Sequence, residues 1–185
     1  MEYIKDKVCS SCQRAIPLRD TPWLTKQSRE FLDQFFQNNP DAKVLEFGAG
    51  GSTIWFSGKT KNLITIESQQ DWFSFVKAKL ERLGRNVDLR LIPNNYFEVC
   101  ATFEKESFDL ILVDARYRVQ CIETSKNLVK PGGILMLDNA DRVKYDNLKE
   151  LLADWEFTET VQEEPDEYGY FYENWQTNWW KKRLD

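Results

Sequence analysis

The sequence predicts a single α/β domain built around a mostly parallel sheet. Short apolar runs rich in valine, isoleucine and leucine alternate with helical patterns, and no internal repeat or glycine-serine linker interrupts them. Such an alternation is typical of parallel strands that are connected by helices. The length of 185 residues corresponds to one ordinary domain, which we divide into an N-terminal arm and helix at residues 1–40 and a main part at residues 41–185.

Each element follows from its own pattern. Pro22 begins a helical pattern, and the Asn-Asn-Pro at residues 38–40 ends it. Apolar runs then predict five strands, at residues 43–47, 63–66, 87–92, 108–113 and 134–137. Helical patterns lie near residues 71–83, 119–128 and 143–155. The fourth strand is continuously apolar after its one polar residue, so we expect it to be buried on both faces near the centre of the sheet.

The C-terminal part departs from this alternation. Residues 157–161 and 175–181 are predicted to be two strands with no helix between them, and such neighbours pair antiparallel. The predicted architecture is therefore five strand–helix units closed by a hairpin.

The composition excludes several kinds of chemistry. The chain contains no histidine, which excludes a Ser-His-Asp triad, a Cys-His pair, histidine-ligated zinc or haem, and a histidine base. Its 42% hydrophobic and 14% aromatic content supports a substantial core and rules out disorder as the main state. With 25 basic residues, 30 acidic residues and a net charge of -5, we expect no general binding to nucleic acid, while a local basic patch stays an alternative.

The N-terminus and the cysteines lead to two further expectations. The first seven residues carry charges where a signal peptide is apolar, and no run reaches about 18 apolar residues, so we expect a soluble cytoplasmic protein with no membrane partner. Cys9 and Cys12 have the spacing of half a zinc knuckle. We expect two reduced thiols there, with a site shared between two chains as the alternative.

A glycine-rich stretch follows the first strand of the main part. Residues 48–51, Gly-Ala-Gly-Gly, lie just past the strand at residues 43–47 and at the start of a helix. The backbone can therefore approach a ligand closely, and the N–H groups of the helix can face an anion. A dinucleotide-binding fingerprint would need glycine where Thr53 stands, so that cofactor class is weakened but stays an alternative.

Two acidic residues accompany this loop. Glu46 lies two residues before Gly48, and we expect its side chain to point into the same crevice, where an acid suits a cofactor that carries a cation. Glu67 ends the next strand, 19 residues after Gly48, where it is placed to accept hydrogen bonds from both hydroxyls of a ribose. The combination favours a cofactor with both a cation and a ribose.

Together with two later motifs, these residues resemble the class I S-adenosylmethionine-dependent methyltransferases. The resemblance covers about residues 40–140 and rests on residues 46–51, on Glu67, on Asp114 after the fourth strand, and on Leu-Val-Lys-Pro-Gly-Gly at residues 128–133. It implies a Rossmann-like sandwich whose seven-stranded, mostly parallel sheet has an antiparallel last strand and helices on both faces. The predicted closing hairpin agrees with that sheet.

By this resemblance, residues 41–185 form a methyltransferase domain that binds S-adenosyl-L-methionine. Glu46 and the glycine backbone would hold the methionine end, Glu67 the ribose, and the turn that contains Asn95 would lie near the adenine. The residues expected to contact the cofactor are Glu46, Gly48, Ala49, Gly50, Ser52, Thr53, Glu67, Ser68, Asn95 and Asp114.

A second polar cluster is expected beside the crevice. Asp114 and the pair Asp138-Asn139 end two strands, and the carboxyl ends of parallel strands meet at one edge of a sheet. Two carboxylates and an amide oxygen suit Mg²⁺ or Ca²⁺. The set resembles the metal site of the catechol-type O-methyltransferases, and we expect Asp114 to be the catalytic residue. That family usually has lysine where Tyr117 stands, so a lysine base is not carried over. Capping of the next helix, or direct substrate contact by Asp114, stays an alternative.

Two arginines affect this metal hypothesis. Arg116 and Arg118 flank Tyr117 and would partly neutralise a cage of carboxylates. Alternatively they bind an acidic substrate or pair with Asp114.

The predicted function is methyl transfer from S-adenosyl-L-methionine to a small molecule, at oxygen. A nicotinamide-dependent oxidoreductase and a non-catalytic cofactor-binding or scaffold protein are the alternatives. Residues 163–173 mix acids with aromatics and are expected to form part of a lid, while Trp23 could close the other side of the pocket. The oligomeric state is left open, with a homodimer as one option.

Overall fold

The computed structural model describes residues 2–8, 15–167 and 169–184. The predicted half zinc knuckle at Cys9 and Cys12 lies outside the described residues. None of the helices in the described part of the chain has the length and apolar character needed to cross a membrane.

Strands and helices alternate along the described chain. The strands are β1 (Glu2–Val8), β2 (Ala15–Leu18), β3 (Val44–Phe47), β4 (Leu63–Glu67), β5 (Asp88–Leu91), β6 (Phe108–Val113), β7 (Val129–Asp138), β8 (Glu156–Thr158) and β9 (Thr177–Lys181). The α-helices are α1 (Lys26–Asn38), α2 (Gly51–Phe56), α3 (Gln70–Arg82), α4 (Arg118–Ser125) and α5 (Asn147–Leu151). Short 3₁₀ helices cover Tyr96–Thr102, Lys126–Leu128 and Val143–Tyr145.

Seven of these strands form one sheet in the order β5-β4-β3-β6-β7-β9-β8, and β1 pairs with β2 in a separate hairpin. The strands from β5 to β7 pair parallel, whereas β9 runs antiparallel to both β7 and β8. The prediction of a seven-stranded, mostly parallel sheet closed by a hairpin is confirmed. Because the strand order reverses between β3 and β6, their carboxyl ends open a crevice.

Helices cover both faces of the sheet, as predicted. Residues 110–113 of β6 are fully buried, and their side chains alternate between two apolar clusters. One cluster contains Cys121 and Ile122 of α4, and the other contains Leu32 and Phe36 of α1. Burial on both sides explains why this strand reads as an unbroken apolar run.

Some predicted boundaries differ from the structure. The helix expected at residues 143–155 is a 3₁₀ turn followed by the short α5. The strand expected at residues 134–137 begins earlier, at Val129, so the Pro-Gly-Gly stretch lies within β7. The strand expected at residues 157–161 is only three residues long, and an isolated bridge joins Val161 to Gln176.

Candidate active site

A cavity of about 400 Å³ lies at the carboxyl ends of β3, β4 and β6. The loop at residues 48–52 lines it from one side, Glu67 at the end of β4 and the following Ser68 line it from another, and Asp114 follows β6. Residues of the segment before α1, among them Trp23, complete the wall. A concave site of this size at the reversal point of a parallel sheet is the usual place for a small ligand.

Two glycines of the loop are required by close approaches of the backbone. Gly48 has a φ of +96°, and a Cβ there would overlap the backbone oxygen of Asp114. A Cβ on Gly51 would overlap the backbone oxygen of Thr21. Only glycine fits at these two positions, so the loop packs directly against the end of β6 and against the segment before α1.

Glu67 lies in the cavity wall with its orientation held by three backbone donors. Its Oε2 accepts a hydrogen bond from the N–H of Ala49 at 3.0 Å, and its Oε1 accepts from the N–H groups of Ser68 and Gln69, both at 2.7 Å. The residue is only 5% exposed. These bonds join the end of β4 to the glycine loop and fix the carboxylate at the cavity.

Glu46 was expected to point into the crevice and to contact a cofactor. In the structure it is fully buried and does not line the cavity. Side chains alternate along β3, so Glu46 points towards the first turn of α2 and not into the crevice. Its carboxylate accepts hydrogen bonds from the hydroxyls of Ser52, of Thr53 at 2.6 Å and of Thr65 at 2.8 Å. The Oγ1 of Thr53 in turn accepts from the N–H of Gly50 at 2.9 Å.

The carboxyl group of Glu46 therefore lies beneath the glycine loop and braces it. Ser52 reaches the cavity, whereas Thr53 is fully buried and does not line it. Burial raises the pKa of Glu46 to about 7, although the three hydroxyl donors act in the opposite direction.

The polar cluster after β6 and β7 is organised by an arginine. Nη2 of Arg118 donates to Oδ1 of Asp114 at 2.6 Å and to Oδ1 of Asn139 at 2.7 Å, and its Nη1 donates to the backbone oxygen of Ala115 at 2.5 Å. The guanidinium thus lies between two of the three groups expected to bind a divalent ion. The positively charged guanidinium therefore binds the Oδ1 atoms of Asp114 and Asn139, which a metal ion would otherwise bind.

The third expected ligand is held by donors from β9 and the segment before it. Oδ1 of Asp138 accepts hydrogen bonds from Oγ1 of Thr177 at 2.6 Å and from Nε1 of Trp175 at 3.2 Å. Burial, with the neighbouring charge of Asp114 as a second cause, raises the pKa of Asp138 well above its usual range. No group of three or more acidic or cysteine side chains in the described residues is arranged around a cation. The residues do not fit the Mg²⁺ site expected at Asp114, Asp138 and Asn139.

The turn expected near an adenine contributes a different residue from the one predicted. Asn95 is exposed and does not line the cavity, whereas Tyr96 is buried and does. Oη of Tyr96 accepts hydrogen bonds from the backbone N–H groups of Arg116 at 2.8 Å and Tyr117 at 3.0 Å. Tyr96 therefore fixes the turn that follows β6.

Sequence reasoning missed several residues of the cavity wall, among them Trp72 and Arg19. The indole of Trp72, in the first turn of α3, donates to the backbone oxygen of Ala49 and lines the cavity. Arg19 also lines it and forms a buried ion pair with Asp166 at 2.5 Å. An aromatic residue shortly after Glu67 was a signal that could have found Trp72, but nothing near Arg19 in the sequence pointed to a partner 147 positions away.

The expected lid packs behind the cavity wall. Trp23 lines the cavity, and its ring centroid lies 4.5 Å from that of Tyr170 in an edge-to-face arrangement. Oη of Tyr172 bonds to Nδ2 of Asn139 at 2.9 Å and to Oδ1 of Asp141 at 3.1 Å. None of the described residues between 163 and 173 lines the cavity itself. This segment supports Trp23 from behind.

The order of strands, the glycine loop after β3 and the acid after β4 define a class I S-adenosylmethionine-dependent methyltransferase. Residues 45–140, just over half of the 185 residues, match a family model described as a methyltransferase domain, and the chain belongs to this family. A search of curated proteins found no match.

Solved structures of similar fold include several methyltransferases. The cofactor-bound protein Rv0187 from MTB is 20% identical, with a TM-score of 0.68 and with 89% of this chain and 84% of that chain covered. An O-methyltransferase from Bacillus cereus in complex with SAH is 20% identical, with a TM-score of 0.62 and coverages of 88% and 85%. The tRNA (m1A58) methyltransferase TrmI from Aquifex aeolicus is 13% identical, with a TM-score of 0.64 and coverages of 90% and 72%. At these identities the likeness concerns the fold.

Proposed function

We propose that this protein transfers the methyl group of S-adenosyl-L-methionine to an oxygen atom of a small molecule. The observation that carries the proposal is the carboxylate of Glu67, held in the cavity wall by three backbone N–H groups directly beside the glycine loop. A fixed acceptor there suits the two hydroxyls of a ribose.

The residues of the cavity fit this cofactor. The close backbone of Gly48, Ala49 and Gly50 would hold the methionine end, with Ser52 and Ser68 at the edge of the same cavity and Glu67 on the ribose. When bound, the cofactor supplies an electrophilic methyl group on a positively charged sulfur. We assign Glu46 the role of bracing the loop, since its oxygens are taken by three hydroxyls behind the wall.

The acceptor side of the cavity lies between Asp114 and Trp23. Asp114 lines the cavity with one carboxylate oxygen bound by Arg118, so its position is set before any acceptor enters. Holding two reactants in line supplies most of what a methyl transfer needs. In our proposal no metal takes part, because the guanidinium of Arg118 stands between the oxygens of Asp114 and Asn139.

A small acceptor is favoured over RNA by charge and by shape. The net charge of -5 disfavours the phosphate backbone, and the cavity wall includes Trp23, which is supported by Tyr170. The O-methyltransferase among the similar structures supports oxygen as the acceptor atom. The cytoplasmic location stays a prediction, and the oligomeric state stays open. Membership of a methyltransferase family argues against the alternative of a nicotinamide-dependent oxidoreductase.

The experiment that tests this function is a calorimetric titration of the purified protein with S-adenosylhomocysteine, with NAD(H) as the comparison ligand. We expect S-adenosylhomocysteine to bind in the micromolar range or tighter and NAD(H) not to bind. Binding of NAD(H) alone, or of neither ligand, would contradict the proposal. Binding of S-adenosylhomocysteine without methyl transfer to any of a broad panel of acceptors would favour the non-catalytic alternative.

A further inference from the structure

Three arginines line the cavity, and they differ in whether their charge is already matched. Arg19 pairs with Asp166, and Arg118 pairs with Asp114. The side chain of Arg116 is exposed, lines the cavity, and makes no hydrogen bond or ion pair with any described residue. The cavity therefore presents one positive charge that the protein itself does not neutralise, on the turn directly after Asp114.

The side chains of the same cavity are poorly suited to removing a proton from a neutral acceptor. Its two carboxylates are Glu67, whose oxygens accept three backbone hydrogen bonds, and Asp114, one oxygen of which is bound by Arg118. Carboxylates are weak bases. No lysine or cysteine lines it within the described residues, and the chain contains no histidine. The buried carboxyls of Glu46 and Asp138 lie behind the wall. Hydroxyl donors hold both oxygens of Glu46, and a hydroxyl and an indole hold Oδ1 of Asp138. A phenol, whose pKa is about 10, would need a stronger base than these carboxylates to become nucleophilic.

These observations select an acceptor that is already ionised in water. We infer that the acceptor is a carboxylate, which the guanidinium of Arg116 binds, and that the product is a methyl ester. This inference rests on the proposed function and specifies its substrate class. Charge-assisted hydrogen bonds from arginine are well matched to a carboxylate.

The reaction balances without a base. A lone pair of the carboxylate oxygen forms the new bond to the methyl carbon while the sulfur–methyl bond breaks, and that electron pair stays on sulfur. The acceptor loses its negative charge, the sulfur loses its positive charge, and no proton is taken up or released. Trp23 and Leu24 line the cavity with apolar surface, so the acid has an apolar body.

The first test compares acids with their uncharged analogues in binding to the protein saturated with S-adenosylhomocysteine. We expect benzoate and cinnamate to bind at least tenfold more tightly than benzamide and cinnamamide in calorimetric titrations. Arg116→Gln should remove this preference without lowering the melting temperature, because the exposed side chain makes no hydrogen bond or ion pair with a described residue. The exposed Arg183, which does not line the cavity, provides the matched control, and Arg183→Gln should keep the preference.

The second test identifies the bond that is formed. 3,4-Dihydroxybenzoate offers a carboxylate and two phenols to the protein together with S-adenosylmethionine labelled in the methyl group. A methyl ester releases volatile labelled methanol in alkali, whereas a methyl ether keeps its label. Release of methanol supports the inference, and an alkali-stable product overturns it.

If neither product forms, the comparison of acids with amides decides. Equal binding of acid and amide, or binding of neither, overturns the carboxylate inference. If S-adenosylhomocysteine still binds in that case, the proposed function stands. Failure of S-adenosylhomocysteine to bind removes the proposed function itself.

Discussion

Nη2 of Arg118 lies 2.6 Å from Oδ1 of Asp114, on the turn that follows β6. The same nitrogen lies 2.7 Å from Oδ1 of Asn139, which ends β7, so one guanidinium joins two neighbouring strand ends beside the cavity. The sequence resembles that of a metal-dependent site at these positions, but the structure places a covalently attached cation there.

Chelation tests this replacement directly. Because Arg118 already supplies the positive charge between Asp114 and Asn139, EDTA should leave the binding of S-adenosylhomocysteine and the rate of methyl transfer unchanged. Calorimetry and a transfer assay, each with EDTA and with added Mg²⁺, measure this. A loss of activity in EDTA that Mg²⁺ restores would show that a metal does take part.

Removal of the guanidinium should destabilise the fold. Arg118→Met keeps an apolar stem but leaves the oxygens of Asp114 and Asn139 without their donor, and the arginine side chain is only 9% exposed. We expect the free energy of unfolding to fall by about 2 to 4 kcal/mol in urea denaturation. Arg183→Met, at an exposed position, should leave it unchanged. An equally stable Arg118→Met would mean that the cluster contributes nothing to the fold.

Glu46 should make stability depend on pH. Burial raises its pKa from about 4.5 to about 7 in the folded state, so the folded state binds more protons than the unfolded state between these two values. The stability of the wild type should therefore fall as pH rises from about 5 to 8. Glu46→Gln carries no ionisable group there, so it should lose less, by up to about 3 kcal/mol.

Urea denaturation of both proteins at pH 5 and pH 8 measures this difference, since all other titrating groups are shared. The exposed Glu81 on α3 provides the matched control, and Glu81→Gln should follow the wild type. Parallel curves for the wild type and Glu46→Gln would contradict the raised pKa.

Gly48 should tolerate no side chain. A Cβ at this position would overlap the backbone oxygen of Asp114, in addition to the cost of a φ of +96°. Gly48→Ala should therefore destabilise the protein by more than about 3 kcal/mol, or displace the loop and weaken S-adenosylhomocysteine binding at least tenfold. Gly84 has a φ of +64° with open space around it, so Gly84→Ala should cost only about 1 kcal/mol. Similar costs at both glycines would show that the close approach does not matter.

Glu67 should be the main acidic contact of the cofactor. Glu67→Gln removes the charge and leaves one oxygen, which can accept from the N–H groups of Ser68 and Gln69, while its NH2 group would face the N–H of Ala49. The variant therefore loses the link to the glycine loop as well as the anionic acceptor for the ribose. S-adenosylhomocysteine binding should weaken by about 1.5 to 3 kcal/mol in calorimetry. Glu81→Gln again serves as the control. Unchanged affinity in Glu67→Gln would remove this carboxylate from the site.

Much of the fold could be predicted because its signals are local. The strand at residues 108–113 is apolar because helices cover both of its faces, and Gly48 and Gly51 are required by close approaches of the backbone. The position of Glu67 followed from strand order alone. The direction of Glu46 was also accessible, since its neighbours Leu45 and Phe47 belong to the opposite face of the sheet.

The sequence by itself determined the order of strands and helices, the closing hairpin and the placement of the glycine loop and Glu67 at one sheet edge. Only the tertiary structure decided that Arg118 lies between Asp114 and Asn139 and that Arg19 pairs with Asp166. It also decided that, of the three arginines in the cavity wall, Arg116 alone makes no side-chain ion pair or hydrogen bond with a described residue. Periodicity and glycine spacing are properties of adjacent residues. The partner of a charged side chain depends on elements that lie tens of residues apart and meet only when the chain has folded.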